Sequence, residues 1–138
     1  MKLLDTLFCE DIRFEQNNKL SLMGLYSDQI VFILNETEIK WPISTNLALL
    51  LRFKKEHNEK LPNLFVFEYF LKDKLLAEIK GEIRIDENQS TFSLALLTPQ
   101  LPVEPGYIAF KINLYDRENV LFSFENNKAI KIALRQPA

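Results

Sequence analysis

The chain has 138 residues and a mass of 16.2 kDa, room for one domain spanning 1–138 rather than two. Its 47% hydrophobic and 26% charged residues, with 11 Phe, 4 Tyr and 1 Trp, exclude disordered, collagen-like and coiled-coil chains. The 17 basic and 19 acidic side chains are interspersed and almost cancel, so no basic field for nucleic acid results.

The start, Met1 to Cys9, breaks its apolar residues at Asp5, whereas a secretion signal needs a continuous apolar region and a small-residue cleavage site. No apolar run approaches the roughly 18–20 residues of a transmembrane span, and neither a membrane span nor a membrane-surface role is expected. Cys9 is the single cysteine; it cannot close an intramolecular disulfide and suits a reducing compartment, so the expected location is cytoplasmic.

Short apolar segments, many alternating with polar residues, follow one another between turn clusters, which is the rhythm of a sandwich or barrel. Strands are predicted near 3–9, 11–16, 19–26, 29–34, 46–54, 63–72, 75–85, 91–98, 107–116, 119–125 and 129–135. Asn17-Asn18 suits a hairpin because Asn tolerates positive φ. Short links at Asp116–Asn119 and Asn126-Asn127 predict that the last three strands form a meander. Lys54–Lys60 and Thr98–Pro105 read as loops within the domain. Leu47 to Leu51 is too short for a convincing helix, and the alternation that follows favours a strand. The expected fold class is all-β, an antiparallel β-sandwich of immunoglobulin-like or calcium-lipid-binding-like type with little or no helix.

Three segments are apolar on both sides: Leu47 to Leu51, Leu64 to Leu71, and Leu94 to Leu97. In a two-layer sandwich only one side of a strand meets the other sheet, so something should cover the second. Adjacent wet aromatics favour association, at roughly 1.5–3 kcal/mol for each large side chain hidden. The expected interaction surface is therefore Phe65, Phe67, Tyr69 and Leu71, with Trp41. The alternative cover is the Glu36–Asn46 connection, which carries Trp41 and Pro42, folded over the patch.

Phe8-Cys9-Glu10-Asp11-Ile12-Arg13-Phe14-Glu15, followed by Asn18 to Tyr26 with its Gly24-Leu25-Tyr26 end, resembles an uncharacterised family of small bacterial β domains. Their opening hairpin is acidic-Ile/Val-Arg and ends in Gly-x-Tyr. Pro105-Gly106-Tyr107-Ile108-Ala109-Phe110 is similar both to that family and to many immunoglobulin-like or calcium-lipid-binding sandwiches. The resemblance implies a sandwich of unknown role and supplies no catalytic residues. Read directly, Arg13 beside Glu10, Asp11 and Glu15 can form a small ion-pair network, and Gly24 can mark a bulge. The alternation directs Ile108 and Phe110, not Tyr107, to the core, against a strict antibody-type tyrosine corner.

Chemistry-bearing residues are sparse. His57 is the one histidine and sits in a charged loop, Lys54 to Lys60, so a Cys9–His57 pair needs an arrangement the sequence does not supply. One Cys and one His cannot complete a zinc site. Glu10, Asp11, Asp28, Asp86, Glu87 and Asp116 lack the Asp-x-Asp density of a calcium loop. Three isolated glycines and no helix cannot cradle phosphate. No catalytic residue, metal or other cofactor is expected. The favoured expectation is a non-catalytic domain that binds a protein partner or itself, through the doubly apolar strands or an unpaired sheet edge. A calcium- or lipid-responsive module, and a hydrolase or small-ligand carrier with an interior cavity, are the other readings.

Overall fold

In a computed structural model describing residues 1–35, 37 and 39–137, the alternating segments form nine strands. These are β1 (Lys2–Phe14), β2 (Leu20–Leu25), β3 (Gln29–Ile33), β4 (Ile43–Lys54), β5 (Leu64–Leu71), β6 (Lys74–Glu82), β7 (Thr91–Val103), β8 (Gly106–Asp116) and β9 (Asn119–Arg135). The helical content among the described segments is a 3-10 turn at Gln16–Asn18. One sheet has the order β2-β1-β4-β7 and the other β3-β9-β8-β5-β6. The fold is an all-β sandwich. Strands β4 and β7 are neighbours in one sheet while β9-β8-β5-β6 lie side by side in the other. This corresponds to strands B and E facing G-F-C-C′ of a variable-type immunoglobulin domain.

The antiparallel expectation needs one correction: β3 runs parallel to β9, from Gln29 opposite Lys131 to Ile33 opposite Arg135. The three residues between β2 and β3 carry the chain to the opposite sheet, where the direction of β9 is already set by its hairpin with β8. Two predicted breaks also disappear. Glu10-Asp11 lies inside β1, and Asn126-Asn127 lies inside β9. The register of β8 on β9 shifts between Ile108 (opposite Ile130) and Phe110 (opposite Asn126), so the Asn pair marks a bulge rather than a turn. The expected meander is therefore a single long hairpin. The predicted loop at 98–105 is mostly strand: β7 continues to Val103 through a second bulge, where Gln100 takes φ +55°.

The main core fills the space between the sheets with alternate residues of β4, β5, β7 and β8, including Leu49, Leu51, Phe53, Leu96, Ile112 and Leu114. Phe67 stacks on Phe110 with ring centroids 5.6 Å apart, and Phe53 stacks on Phe92 at 5.1 Å. Ile108 and Phe110 are buried and Tyr107 is exposed beneath Lys128 and Lys131, as the alternation requires. Leu47 to Leu51 is strand and not helix. Its second side, Ala48 and Leu50, joins Cys9 and Ile12 in a separate apolar cluster flanked by Leu7, Leu22 and Ala95.

Candidate functional site

Most of the residues expected to form an interaction surface are covered by this packing. Phe67 and Tyr69 have no exposed area, Leu71 is buried, and Phe65 is at the margin of burial. All four belong to the main core, because β5 is an inner strand between β8 and β6 and these alternate residues face the other sheet. Its opposite side carries Leu64, Val66, Glu68 and Phe70, in register with polar neighbours such as Lys80, Asn113 and Lys111. Trp41 is half-buried and packs edge-on against Phe32 of β3, 6.2 Å between centroids. Glu36 and Glu38, at the start of that connection, lie outside the described residues.

Several exposed apolar residues lie on the β1–β2 hairpin, and others are spread over β3 and β5 to β9. Phe14 is 69% exposed and stands opposite Leu20; Met23 and Leu25 are also open to solvent. Periodicity does not locate this surface, because it belongs to an edge. The recoverable signal is that Leu20 to Leu25 contains neither charge nor proline.

The same hairpin forms one wall of a cleft of about 630 Å³. Glu10 and Asp11 of β1 and Tyr26, just past β2, meet Thr45 to Ala48 of β4 and Leu97 to Pro99 of β7. Two irregularities open this space. Gly24 takes φ +67°, with the Glu10 side chain lying across it. On the far wall β4 and β7 lose register between Thr45 and Leu47, and Asn46 Oδ1 accepts a hydrogen bond of 3.1 Å from Gln100 N. The residues that carry the resemblance, Cys9-Glu10-Asp11 and Gly24-Leu25-Tyr26, are thus assembled in one place, with Cys9 opposite Leu25 and Tyr26 N donating to Phe8 O at 2.8 Å.

The polar groups there are differently engaged. Asp11 Oδ1 accepts from Ile12 N at 2.9 Å, and its other oxygen is 3.9 Å from Arg13 Nε in an exposed pair. Of the ion-pair network expected around Arg13, this contact is the one formed among the described residues. Glu10 has no ion pair or hydrogen bond to its side chain among them. Thr98 Oγ1 is sealed from solvent without a hydrogen-bond partner. Burial, then the charges of Glu10 and Cys9, push the Tyr26 phenol up. The Cys9 thiol is fully buried, donates to Asp11 O at 3.3 Å, and is pushed up chiefly by burial.

The other candidates are dispersed. His57 lines a separate shallow cleft with Lys55, Glu59, Glu87 and Asp116, away from the Cys9 thiol in mid-strand. Asp28 and Asp86 act through their carbonyls, which accept from Lys131 N and Gln89 N. Among the described residues, no three His, Cys, Asp or Glu side chains are grouped so as to hold a metal ion, and no helix is long and apolar enough to cross a membrane. No family model matches the sequence, and no curated protein is significantly similar to it.

Proposed function

We propose that the chain is a non-catalytic interaction domain that associates with a second copy of itself along the β2 edge. The observation that carries this reading is the unprotected state of that edge. An edge strand presents unpaired backbone donors and acceptors, and proteins ordinarily guard such strands with charges, prolines or bulges. Strand β6 carries Lys74, Glu78, Lys80 and Glu82, and β7 carries Pro99, Pro102 and a bulge. Strand β2 has no charge and no proline, and it exposes Leu20, Met23 and Leu25 beside Phe14. Strand β3, at the same side of the sandwich, is equally uncharged, though Trp41 packs against its Phe32.

Antiparallel pairing of β2 with its symmetry mate would join two four-stranded sheets and hide these side chains, each for roughly 1.5–3 kcal/mol at full burial. A buried, unpaired thiol fits a reducing compartment, and we place the domain in the cytoplasm on that ground. The same reading takes it as one of the small bacterial β domains that its hairpin resembles. Size-exclusion chromatography with light scattering tests the association. A concentration-dependent dimer that M23K and L25K each convert to a folded monomer is the expected result; a monomer at every concentration overturns it.

A further inference from the structure

We infer that the second copy engages both sheets at once, pairing β3 with its own β3 as β2 pairs with β2. The dimer is then two continuous sheets, each with twice the four or five strands of one copy, and it closes at two. This rests on the association proposed along β2 and adds a second surface to it. The relative position of the two edges carries the inference. Strand β1 runs antiparallel to both β2 and β4, while β3 runs parallel to β9. Phe53, near the end of β4, packs edge-on against Phe122, near the start of β9, which fixes the direction of one sheet relative to the other. The three residues joining β2 to β3 therefore fold the chain back, and the two strands lie alongside each other as edges of the two sheets. A two-fold axis normal to the sheets is the operation that sets β2 antiparallel to its mate. The same rotation sets β3 antiparallel to its own mate.

Strand β3 is open to such pairing. Lys131 N donates to Asp28 O and Leu34 N to Arg135 O, both at 3.1 Å, so alternate residues from Asp28 to Leu34 turn their backbone groups to β9. Gln29, Val31 and Ile33 turn theirs outward, where no backbone partner meets them among the described residues. The strand carries no charge and no proline, and Ile33 is 65% exposed. Size argues for the same arrangement. A six-residue strand runs about 20 Å, and paired alone it offers a strip about 10 Å wide, well short of the roughly 800 Å² that each partner of a stable complex buries. A second edge about 10 Å away, with apolar side chains between, extends the contact toward that size. The far edges, β6 and β7, keep their charges and prolines, so the assembly ends at two copies.

Amide hydrogen exchange of the full-length chain tests this, read by NMR at concentrations on either side of the dimer midpoint found by light scattering. The Val31 and Ile33 amides should exchange freely in the monomer and slow at least about tenfold in the dimer, together with the β2 amides that are open in the monomer. The Lys131 amide, already bonded to Asp28 O, should be protected in both states. V31K places two ammonium groups across the axis from each other and should weaken dimerisation at least about tenfold. Slowing at β2 alone, or V31K dimerising as tightly as the native chain, overturns the two-sheet form and leaves the β2 association standing. A monomer at every concentration overturns both, as does slowing confined to β3. Species larger than a dimer overturn the closure. Should V31K fail to fold, the exchange pattern of the native chain decides by itself.

Discussion

Glu10 lies across Gly24 so closely that a Cβ on the glycine would stand 2.7 Å from Glu10 Cδ. Gly24 is also in the left-handed region, at φ +67°, where any other residue is strained. The two effects separate in a mutant cycle. G24A should destabilise by about 1–2 kcal/mol in urea unfolding, most of it backbone strain that E10A does not relieve. The smaller steric part should vanish in the G24A/E10A double variant. Because the same contact shapes the cleft, G24A should also move the amide signals of Glu10 and Tyr26.

The two-residue link between β5 and β6 places Lys72 at φ +50° and Asp73 at φ +63°, with Leu71 paired to Lys74. Both central residues are left-handed, the geometry for which Asn-Gly is the preferred pair. K72N/D73G should raise stability by about 0.5–1 kcal/mol, since relief of strain outweighs the freedom glycine adds to the unfolded chain. Loss of the exposed Lys72–Glu104 pair, 3.1 Å, subtracts little. Thermal unfolding of the two single variants and the double variant measures it.

Where the sequence was legible follows from the range of each signal. Alternation reports which residues share a face, so the core positions of β8, Ile108 to Leu114, and the strand rather than helix at Leu47 to Leu51 are readable without coordinates. A turn signal is local and does not say whether the chain reverses or rejoins the same partner. Asn126-Asn127 illustrates this: Asn126 Oδ1 accepts from Lys128 N at 3.0 Å, a turn-like contact, and β9 then resumes its pairing with β8. Strand order was beyond reach for the same reason. Phe65 to Leu71 looked like a surface because the sequence does not reveal that β5 is central, between β6 and β8. The cleft is illegible in the sequence as a whole, although Glu10, Asp11 and Tyr26 all lie within the segment that carries the resemblance. Its other wall comes from β4 and β7, tens of residues away.

The Phe65 ring lies over Gly81, its cross-strand neighbour, such that a Cβ there would be 2.7 Å from Phe65 Cε1. No positive φ is involved, so the obstacle is purely steric. G81A must displace a largely buried ring and should cost about 1–3 kcal/mol. F65L provides room, and the G81A/F65L double variant should be more stable than the sum of the single effects by at least about 0.5 kcal/mol. Additive losses in urea unfolding would instead mean that the ring moves aside freely.

The Tyr69 hydroxyl is buried in the main core without a hydrogen-bond partner, and burial holds its phenol protonated far above the ordinary tyrosine range. Y69F removes an unsatisfied group without creating a cavity, and should leave stability unchanged or raise it by up to about 1 kcal/mol. The effect on pH dependence is more specific. The unfolded chain loses this proton near pH 10 whereas the folded one keeps it, so the contribution is complete below about pH 10 and declines as pH rises above it. The Cys9 thiol, also pushed up by burial, adds a decline that begins about one pH unit lower. Urea midpoints measured from pH 8 to 11 should therefore fall steadily for the native chain and less steeply above pH 10 for Y69F. Parallel curves would mean that water reaches the Tyr69 hydroxyl in the folded state.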